Sequence, residues 1–175
     1  GNVDDAPKYV AGALNDKGVL AFGPGDSFDL NPDVGGTKTI FAVFKQTSDE
    51  TNATKLFGGD LITTTAAEKV GLEREGNSSM IDSDISSLSY RIVSWEGNAS
   101  DYALSVDGAD MGTAANTSAI GDWNVSDIGN GAPSHIAEMV AYDRVLPLPA
   151  RQKIEGYLAH KWGLEGQLPD IHPYK

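Results

Sequence analysis

Short apolar or alternating runs, separated by turn-forming clusters, fill about the first 140 residues of this chain. Candidate strands lie at 19–22, 27–30, 39–45, 55–61, 69–74, 90–95, 102–106 and 136–142. Clusters of Gly, Asp and Asn separate these runs, and such residues adopt the backbone conformations that tight turns require. No helical periodicity interrupts the pattern before residue 149. This spacing predicts an all-β fold, an antiparallel two-sheet β-sandwich.

Two segments allow sharper predictions within that sandwich. The run 39–45 is nearly all apolar, which predicts a central strand covered on both faces. Asp107-Gly108 follows the strand 102–106 and predicts a tight hairpin turn, because Gly tolerates the positive φ of such turns.

One amphipathic helix is predicted over about 150–164, after the last strand. An apolar stripe recurs there at helical spacing, formed by Ile154, Tyr157, Leu158 and Trp162. Pro147 and Pro149 suit the entry to a helix, and Gly163 suits its C-terminal stop. We interpret Trp162 as an anchor in the core rather than as a platform for a ligand.

The end of the chain has a recognisable arrangement. It runs His-Ile-Ala-Glu-Met-Val-Ala-Tyr-Asp-Arg-Val-Leu over 135–146, Lys-Trp-Gly-Leu over 161–164 and Leu-Pro-x-x-His-Pro-Tyr over 168–174. Earlier segments add Val-Leu-Ala-Phe at 19–22, Phe-Asp-Leu at 28–30, the strand 40–44 and the Val-Asp-Gly that ends 102–108. Together these segments resemble the laminin-G-like (concanavalin A-like) lectin jelly-roll modules of bacterial extracellular adhesins and polysaccharide-acting proteins.

The resemblance implies that residues 1–175 form a single laminin-G-like lectin domain, a jelly roll closed by the C-terminal helix. It also implies a secreted, extracellular or cell-surface bacterial protein. Two positions depart from the family pattern. Gly23 stands where an acidic residue usually follows the first-strand Phe, and Pro147-Leu148 replace the usual Ser-Asp helix cap. The first departure weakens the transfer of a metal ligand from the family to that turn, and the second alters only the capping.

Composition excludes several classes of function. The formal net charge is −12 and no basic stripe is present, so nucleic acid and anionic membranes are not expected partners. The absence of cysteine excludes disulfides, thiolate metal sites and cysteine nucleophiles. No apolar run reaches the about 18 residues of a membrane span. We expect a monomeric module within a larger chain.

The sequence shows no catalytic machinery, so we predict that the domain is not an enzyme. A glycosidase would need two carboxylates flanking the scissile bond. The nearest pair is Glu73 and Glu75, which would share a strand face with Arg74 between them. We interpret them as a solvated outer face. Nucleophile-elbow and phosphate-loop motifs are also missing.

Acidic loops suggest a Ca²⁺ site at one rim of the sandwich. Ca²⁺ takes oxygen ligands, and the resemblance adds weight because many laminin-G-like modules hold a rim Ca²⁺. The candidate ligands are Asp82, Asp84, Asp101, Asp107 and Asp110. No motif fixes them, and Asp is also an ordinary turn former.

Aromatic and amide side chains near turns are the candidates for contacts with a ligand. An indole offers a flat apolar face to sugar C–H groups, and Asn and Asp oxygens bond hydroxyls. The candidates are Trp123, Asp122, Asn124, Trp95 and Asn98. A core position remains the alternative for both tryptophans, and it is the favoured one for Trp95.

Taken together, the residues and the resemblance predict a non-catalytic, carbohydrate-binding, lectin-like module of a Ca²⁺-dependent adhesin. Its partner would be a glycan or polysaccharide on a cell surface or matrix. Ca²⁺ would either order a rim loop or coordinate sugar hydroxyls directly. The alternatives are a protein- or peptide-binding laminin-G-like module, a structural spacer of a large adhesin and, last, a polysaccharide-degrading enzyme.

Overall fold

The structure is a computed structural model of the chain. It describes residues 6–47, 56–58, 61–65, 69–74, 80–98, 100–115, 123–129, 131 and 133–175, without the side chains at 61–65, 73, 74, 80 and 82. In the predicted strand 55–61, Phe57 forms an isolated β-bridge with Ile128, and Leu61 is the first residue of a later strand. Most of the other positions lie outside the described residues.

The described residues form twelve strands, one α-helix and one 3₁₀ turn. The strands are β1 Lys8–Leu14, β2 Lys17–Phe22, β3 Phe28–Thr37, β4 Thr39–Gln46, β5 Leu61–Thr65, β6 Lys69–Arg74, β7 Met80–Ser86, β8 Arg91–Gly97, β9 Asp101–Val106, β10 Ala109–Ala115, β11 Trp123–Ile128 and β12 Ser134–Tyr142. The helix α1 is Leu148–Trp162, and the 3₁₀ turn is Glu165–Gln167.

Seven strands form one antiparallel sheet in the order β1-β2-β12-β4-β8-β9-β10. Strand β4 lies at its centre and pairs with β12 on one side and β8 on the other. Residues 39–44 of β4 are buried throughout, with successive side chains on opposite faces. The prediction of a central strand covered on both faces is confirmed.

Two short sheets, β11-β3 and β5-β6-β7, cover one face of the large sheet. The core between these layers is one apolar cluster whose members include Phe44, Trp95, Tyr102, Leu104, Leu72, Ile81, Trp123 and Val125. Trp95 also links the layers directly, because its Nε1 donates to the backbone oxygen of Gly71 at 3.0 Å. The predicted antiparallel β-sandwich with one C-terminal helix is confirmed.

Helix α1 covers part of the opposite face of the large sheet. Leu158 and Trp162 pack in a second apolar cluster with Phe41 and Val43 of β4. Trp162 is therefore the core anchor that the sequence predicts. Tyr157 is a correction to the predicted stripe, because its side chain is 49% exposed and its hydroxyl bonds a carboxylate at the surface.

The ends of the helix follow local chemistry. It begins two residues before the predicted start, because Pro149 fits the first turn, where no intrahelical N–H donor is needed. It ends at Gly163, whose φ of 67° is the left-handed conformation that favours glycine. Among the described residues, no helix is both long and apolar enough to cross a membrane.

The predicted hairpin turn between β9 and β10 is also confirmed. Asp107 and Gly108 have φ angles of 52° and 78°, as a tight turn between twisted antiparallel strands requires. Val106 pairs with Ala109 across this turn.

Candidate functional site

A shallow groove of about 290 Å³ lies beside the turn that joins β8 to β9. Its wall combines carboxylates, an amide and a hydroxyl with apolar groups. The lining residues are Glu96, Asn98, Asp101, Tyr102, Ala103, Thr113 and Val145. We call this the rim groove. It brings together Asn98, predicted as a ligand-binding residue, and Asp101, predicted as a metal ligand.

Asn98 shapes the turn at the end of the rim groove. Its Oδ1 accepts hydrogen bonds from the backbone N–H groups of Ser100 at 2.7 Å and Asp101 at 2.9 Å. The backbone N–H of Asn98 donates to the backbone oxygen of Asp101 at 2.9 Å. Asn side chains commonly close turns in this way. The side chain of Asn98 therefore fixes the position from which Asp101 enters the groove.

A buried aromatic stack lies on the other face of the sheet from the rim groove. Tyr102 lines the groove, and its ring stacks on Trp123 with centroids 6.4 Å apart. Gly97 leaves space for the indole, since a Cβ at that position would lie 2.7 Å from Trp123 Cζ2. Trp123 supports the groove from below.

Both tryptophans correct the prediction of surface platforms for a sugar. Trp123 is 1% exposed and Trp95 is fully buried, so neither indole offers an open face to a ligand. The alternative, a core position, fits both. The signal for Trp123 was available in the sequence, because Trp123 and Val125 alternate inward along β11.

The other two candidates near Trp123 do not join the rim groove. Asn124 is exposed on β11, and its Nδ2 donates to Asp33 Oδ2 at 2.7 Å. Asp122 lies outside the described residues, so its predicted role stays a prediction.

Glu96 forms the inner wall of the rim groove. It is 8% exposed, its Oε2 lies 3.8 Å from Nη1 of Arg151, and its Oε1 has no hydrogen-bond partner among the described residues. Burial raises the pKa of Glu96, the Arg151 charge lowers it, and the nearby carboxylates of Glu155 and Asp110 raise it further. This carboxylate is held beside the groove at a desolvation cost.

Behind Glu96 lies a buried ionic network that the sequence analysis missed. Arg151 Nη2 bonds Asp110 at 2.5 Å, and Arg151 Nε lies 3.4 Å from Glu155 Oε1. Glu155 also accepts from the Ser105 hydroxyl at 3.0 Å and contacts His172 Nε2 at 3.2 Å. The spacing of Arg151 and Glu155, four residues apart on a helix, was the signal that could have revealed it.

The network also borders a second cleft, of about 420 Å³, between α1, the β9–β10 turn and the C-terminal tail. Arg151, Asp110 and His172 line it together with exposed apolar residues such as Ile171 and Leu148. Arg151 and Glu96 therefore stand between this cleft and the rim groove.

Two of the predicted metal ligands have basic partners of their own. Asp84 bonds Lys69 at 2.8 Å, and that bond together with the Lys69 charge lowers the Asp84 pKa. Asp107 accepts from Arg91 Nη1 and from the Ile92 N–H, both at 2.9 Å, while burial raises its pKa. Asp107 thus ties the β9–β10 turn to β8.

The remaining predicted metal ligands are also dispersed. Asp110 pairs with Arg151, and Asp101 borders the rim groove. The structure does not describe the side chain of Asp82. In the part of the chain that the structure describes, no three acidic or histidine side chains are grouped to hold a metal ion. The predicted ligands do not form one site there, and Ca²⁺ stays a prediction.

A third surface is an apolar cleft of about 250 Å³ at the β1–β2 end of the large sheet. Its lining includes Tyr9, Leu20, Phe22, Phe28, Ile128 and Met139. Tyr9 is 71% exposed, and its ring lies over Gly18, where a Cβ would clash with the ring.

No protein-family model matches the chain, and no curated protein matches it. Solved structures do. The binding domain of Paraclostridial Mosquitocidal Protein 1 aligns with a TM-score of 0.62 at 12% identity, over 87% of this chain and 46% of that chain. The chain is a jelly-roll β-sandwich.

Two further structures share this fold. The binding domain of botulinum neurotoxin DC, in complex with rat synaptotagmin II, aligns with a TM-score of 0.55 at 10% identity, over 87% of this chain and 46% of that one. Ruminococcus gnavus IT-sialidase CBM40, bound to α2,3-sialyllactose, aligns with a TM-score of 0.52 at 15% identity, over 75% of this chain and 93% of that one. This chain thus spans about half of each toxin binding domain. All three neighbours are binding domains rather than catalytic ones.

Proposed function

We propose that this domain is a non-catalytic carbohydrate-binding module of a secreted or cell-surface bacterial adhesin. The observation that carries the proposal is the rim groove, where polar side chains lie beside the small apolar surface of Ala103 and Val145. At about 290 Å³ it lies at the small end of ligand sites, which suits one or two sugar rings.

The chemistry of the rim groove matches that of a sugar. The carboxylates of Asp101 and Glu96 are acceptors for hydroxyl groups, and the Thr113 hydroxyl both donates and accepts. Ala103 and Val145 give apolar surface for the C–H face of a ring. Because β8, β9 and β10 hold these groups on one rigid sheet, the site is largely formed before a ligand arrives.

The structural neighbours support a binding role of this kind. One of them, the IT-sialidase CBM40, carries bound sialyllactose, and this chain covers most of that domain. The likeness shows a shared fold, and a carbohydrate ligand for this chain is our inference from the groove.

Ca²⁺ dependence is part of the same proposal. Ca²⁺ takes six to eight oxygen ligands, and the rim groove offers two carboxylates, Asp101 and Glu96. The Asn98 Oδ1 already accepts two backbone N–H groups. Two carboxylates are too few to hold the ion, so we propose that Ca²⁺ orders a neighbouring rim loop and does not join the glycan in the groove.

A glycan array tests the proposal, with the purified domain applied once with Ca²⁺ and once with chelator. We expect at least one glycan to bind, and Asp101→Ala to weaken that binding about tenfold or more, the loss of one charged hydrogen bond. Asp29→Ala is the matched control, because it removes an exposed strand carboxylate that does not line the groove. Binding that survives Asp101→Ala in a folded protein would refute the rim groove as the site.

The alternative function is a protein- or peptide-binding module, and the apolar cleft favours it. Tyr9 is highly exposed beside Phe28 and Leu20, and the botulinum neurotoxin DC domain is described in complex with rat synaptotagmin II. A peptide library would separate the two functions. Selected peptides whose binding is lost in Tyr9→Ser, together with an empty glycan array, would support the alternative. A spacer would bind neither.

A further inference from the structure

The rim groove presents negative charge to any ligand. Two of its lining side chains, Glu96 and Asp101, are carboxylates, and none of the described residues that line it is basic. The chain as a whole carries a formal net charge of −12, so the field around the domain repels anions as well.

The nearest buried cation cannot offset this charge. Arg151 faces three carboxylates at once, with Asp110 at 2.5 Å, Glu155 at 3.4 Å and Glu96 at 3.8 Å. Its guanidinium is nearly buried among them, so its charge is already more than compensated before a ligand arrives.

Two other basic residues approach the rim groove through their backbones. The Lys38 oxygen accepts from the Gly97 N–H at 2.9 Å, and the Arg144 oxygen accepts from the Thr39 hydroxyl at 2.8 Å. Neither side chain lines the groove. A ligand carboxylate or sulfate seated there would meet Asp101 and Glu96, and no described lining residue would supply a basic side chain to pair with it.

We propose that the rim groove selects neutral glycans and discriminates against sugars that carry a carboxylate or sulfate, with Asp101 and Glu96 as the residues that set this selectivity. The inference rests on the proposed carbohydrate-binding function. It separates this domain from the IT-sialidase CBM40 of the same fold, which is bound to an anionic sugar. The fold is shared, whereas the charge of the site belongs to each chain.

Matched glycan pairs test the selectivity. Each pair holds a neutral glycan and the same glycan with one acidic group added, such as lactose with α2,3-sialyllactose and a neutral galactan oligosaccharide with its sulfated form. We expect the neutral member of a bound pair to bind about tenfold more tightly in every buffer that supports binding, because like charges a few Å apart repel in the groove. The preference should shrink as salt rises.

Charge-neutralising variants assign the selectivity to the groove. Asp101→Asn should narrow the preference for the neutral member about threefold, and Glu96→Gln is a second, independent variant for the same effect. Asp16→Asn is the matched control, since Asp16 is exposed in the β1–β2 turn, at the opposite end of the large sheet. It changes the net charge equally and should leave the preference unchanged.

The two ways to fail are distinct. A tighter affinity for the charged member, in either buffer, overturns the selectivity while leaving the glycan-binding function in place, and Lys38→Gln and Arg144→Gln would then show which cation is responsible. An equal narrowing by Asp16→Asn would reduce the effect to overall charge and overturn the role of the groove. If neither member of any pair binds, the proposed function fails and this inference fails with it.

Discussion

The two faces of the seven-stranded sheet are built from different chemistry. The face toward the short sheets is an apolar cluster with two fully or nearly fully buried tryptophans. The face toward helix α1 combines apolar packing with the buried charges of Arg151, Glu155 and His172. By strand alternation, Glu96 and Ala103 point to this second face, where the helix leaves room for the rim groove. The first face stabilises the fold, and the second is where a ligand can be recognised.

Replacing one tryptophan on each face gives the largest expected effect. Trp95→Ala should lower the free energy of unfolding by about 4–5 kcal/mol, since it opens a cavity between two sheets and removes the bond to Gly71. Trp162→Ala should cost about 3 kcal/mol, because that ring lies at the edge of the helix and its Nε1 bonds Glu138 near the surface. Urea unfolding measures both. A larger loss of unfolding free energy for Trp162→Ala than for Trp95→Ala would contradict this difference between the two faces.

Breaking the ionic network is expected to come next. Glu155→Gln leaves Arg151 and His172 buried without their shared carboxylate, which should cost about 3 kcal/mol. The matched control on the same face is Glu165→Gln, where a half-exposed carboxylate pairs with the exposed His160 and the change should be below about 0.5 kcal/mol. Equal values for the two variants would show that the buried network adds nothing to stability.

Asp107→Asn sharpens the comparison at the β9–β10 turn. The amide keeps a residue that tolerates the positive φ, but it weakens the bonds to Arg91 and Ile92. We expect a loss of about 1–2 kcal/mol in unfolding free energy. Calorimetric titration with Ca²⁺ should show no change, because this carboxylate is committed to the turn. A variant that keeps its stability and loses Ca²⁺ affinity would restore the metal-ligand interpretation.

Much of the fold could be predicted where a local pattern decides the structure. The central strand β4, the Asp107-Gly108 turn and the stop at Gly163 each rest on hydrophobicity or φ preference within a few residues. The strands β1, β7, β10 and β11 and most of β5 were not predicted, and β10 shows a structure that no local pattern decides. The segment Ala109–Ala115, for example, has mostly small residues and Thr113 as its one β-branched residue, and its pairing with β9 makes it a strand.

The candidate site was harder to predict, because its parts meet only in the folded chain. Asn98 and Asp101 are close in sequence, and the turn chemistry pointed to both. Glu96 lies near Arg151 only in the folded chain, because the two residues are about 55 positions apart in the sequence. The polar neighbours Asp122 and Asn124 suggested a loop at Trp123, while the alternation of Trp123 with Val125 indicated a buried strand. The polarity of the residues on either side of Trp123 does not indicate whether the indole itself is buried.

The smallest expected effect is the pH dependence that Glu96 adds to stability. Because burial is the main cause that raises its pKa above 4.5, the folded state binds a proton more tightly than the unfolded state does. Ionised Glu96 therefore costs stability at neutral pH, and this cost disappears as pH falls through the raised pKa toward 4.5. The unfolding free energy of the wild type should thus rise relative to Glu96→Gln as pH is lowered across that range. Asp84→Asn supplies the opposite sign, since Lys69 lowers the Asp84 pKa and that stabilisation is lost as pH falls. If both differences had the same slope in urea unfolding at several pH values, burial would not be the cause that dominates the Glu96 pKa, and Glu96 would not be a desolvated carboxylate.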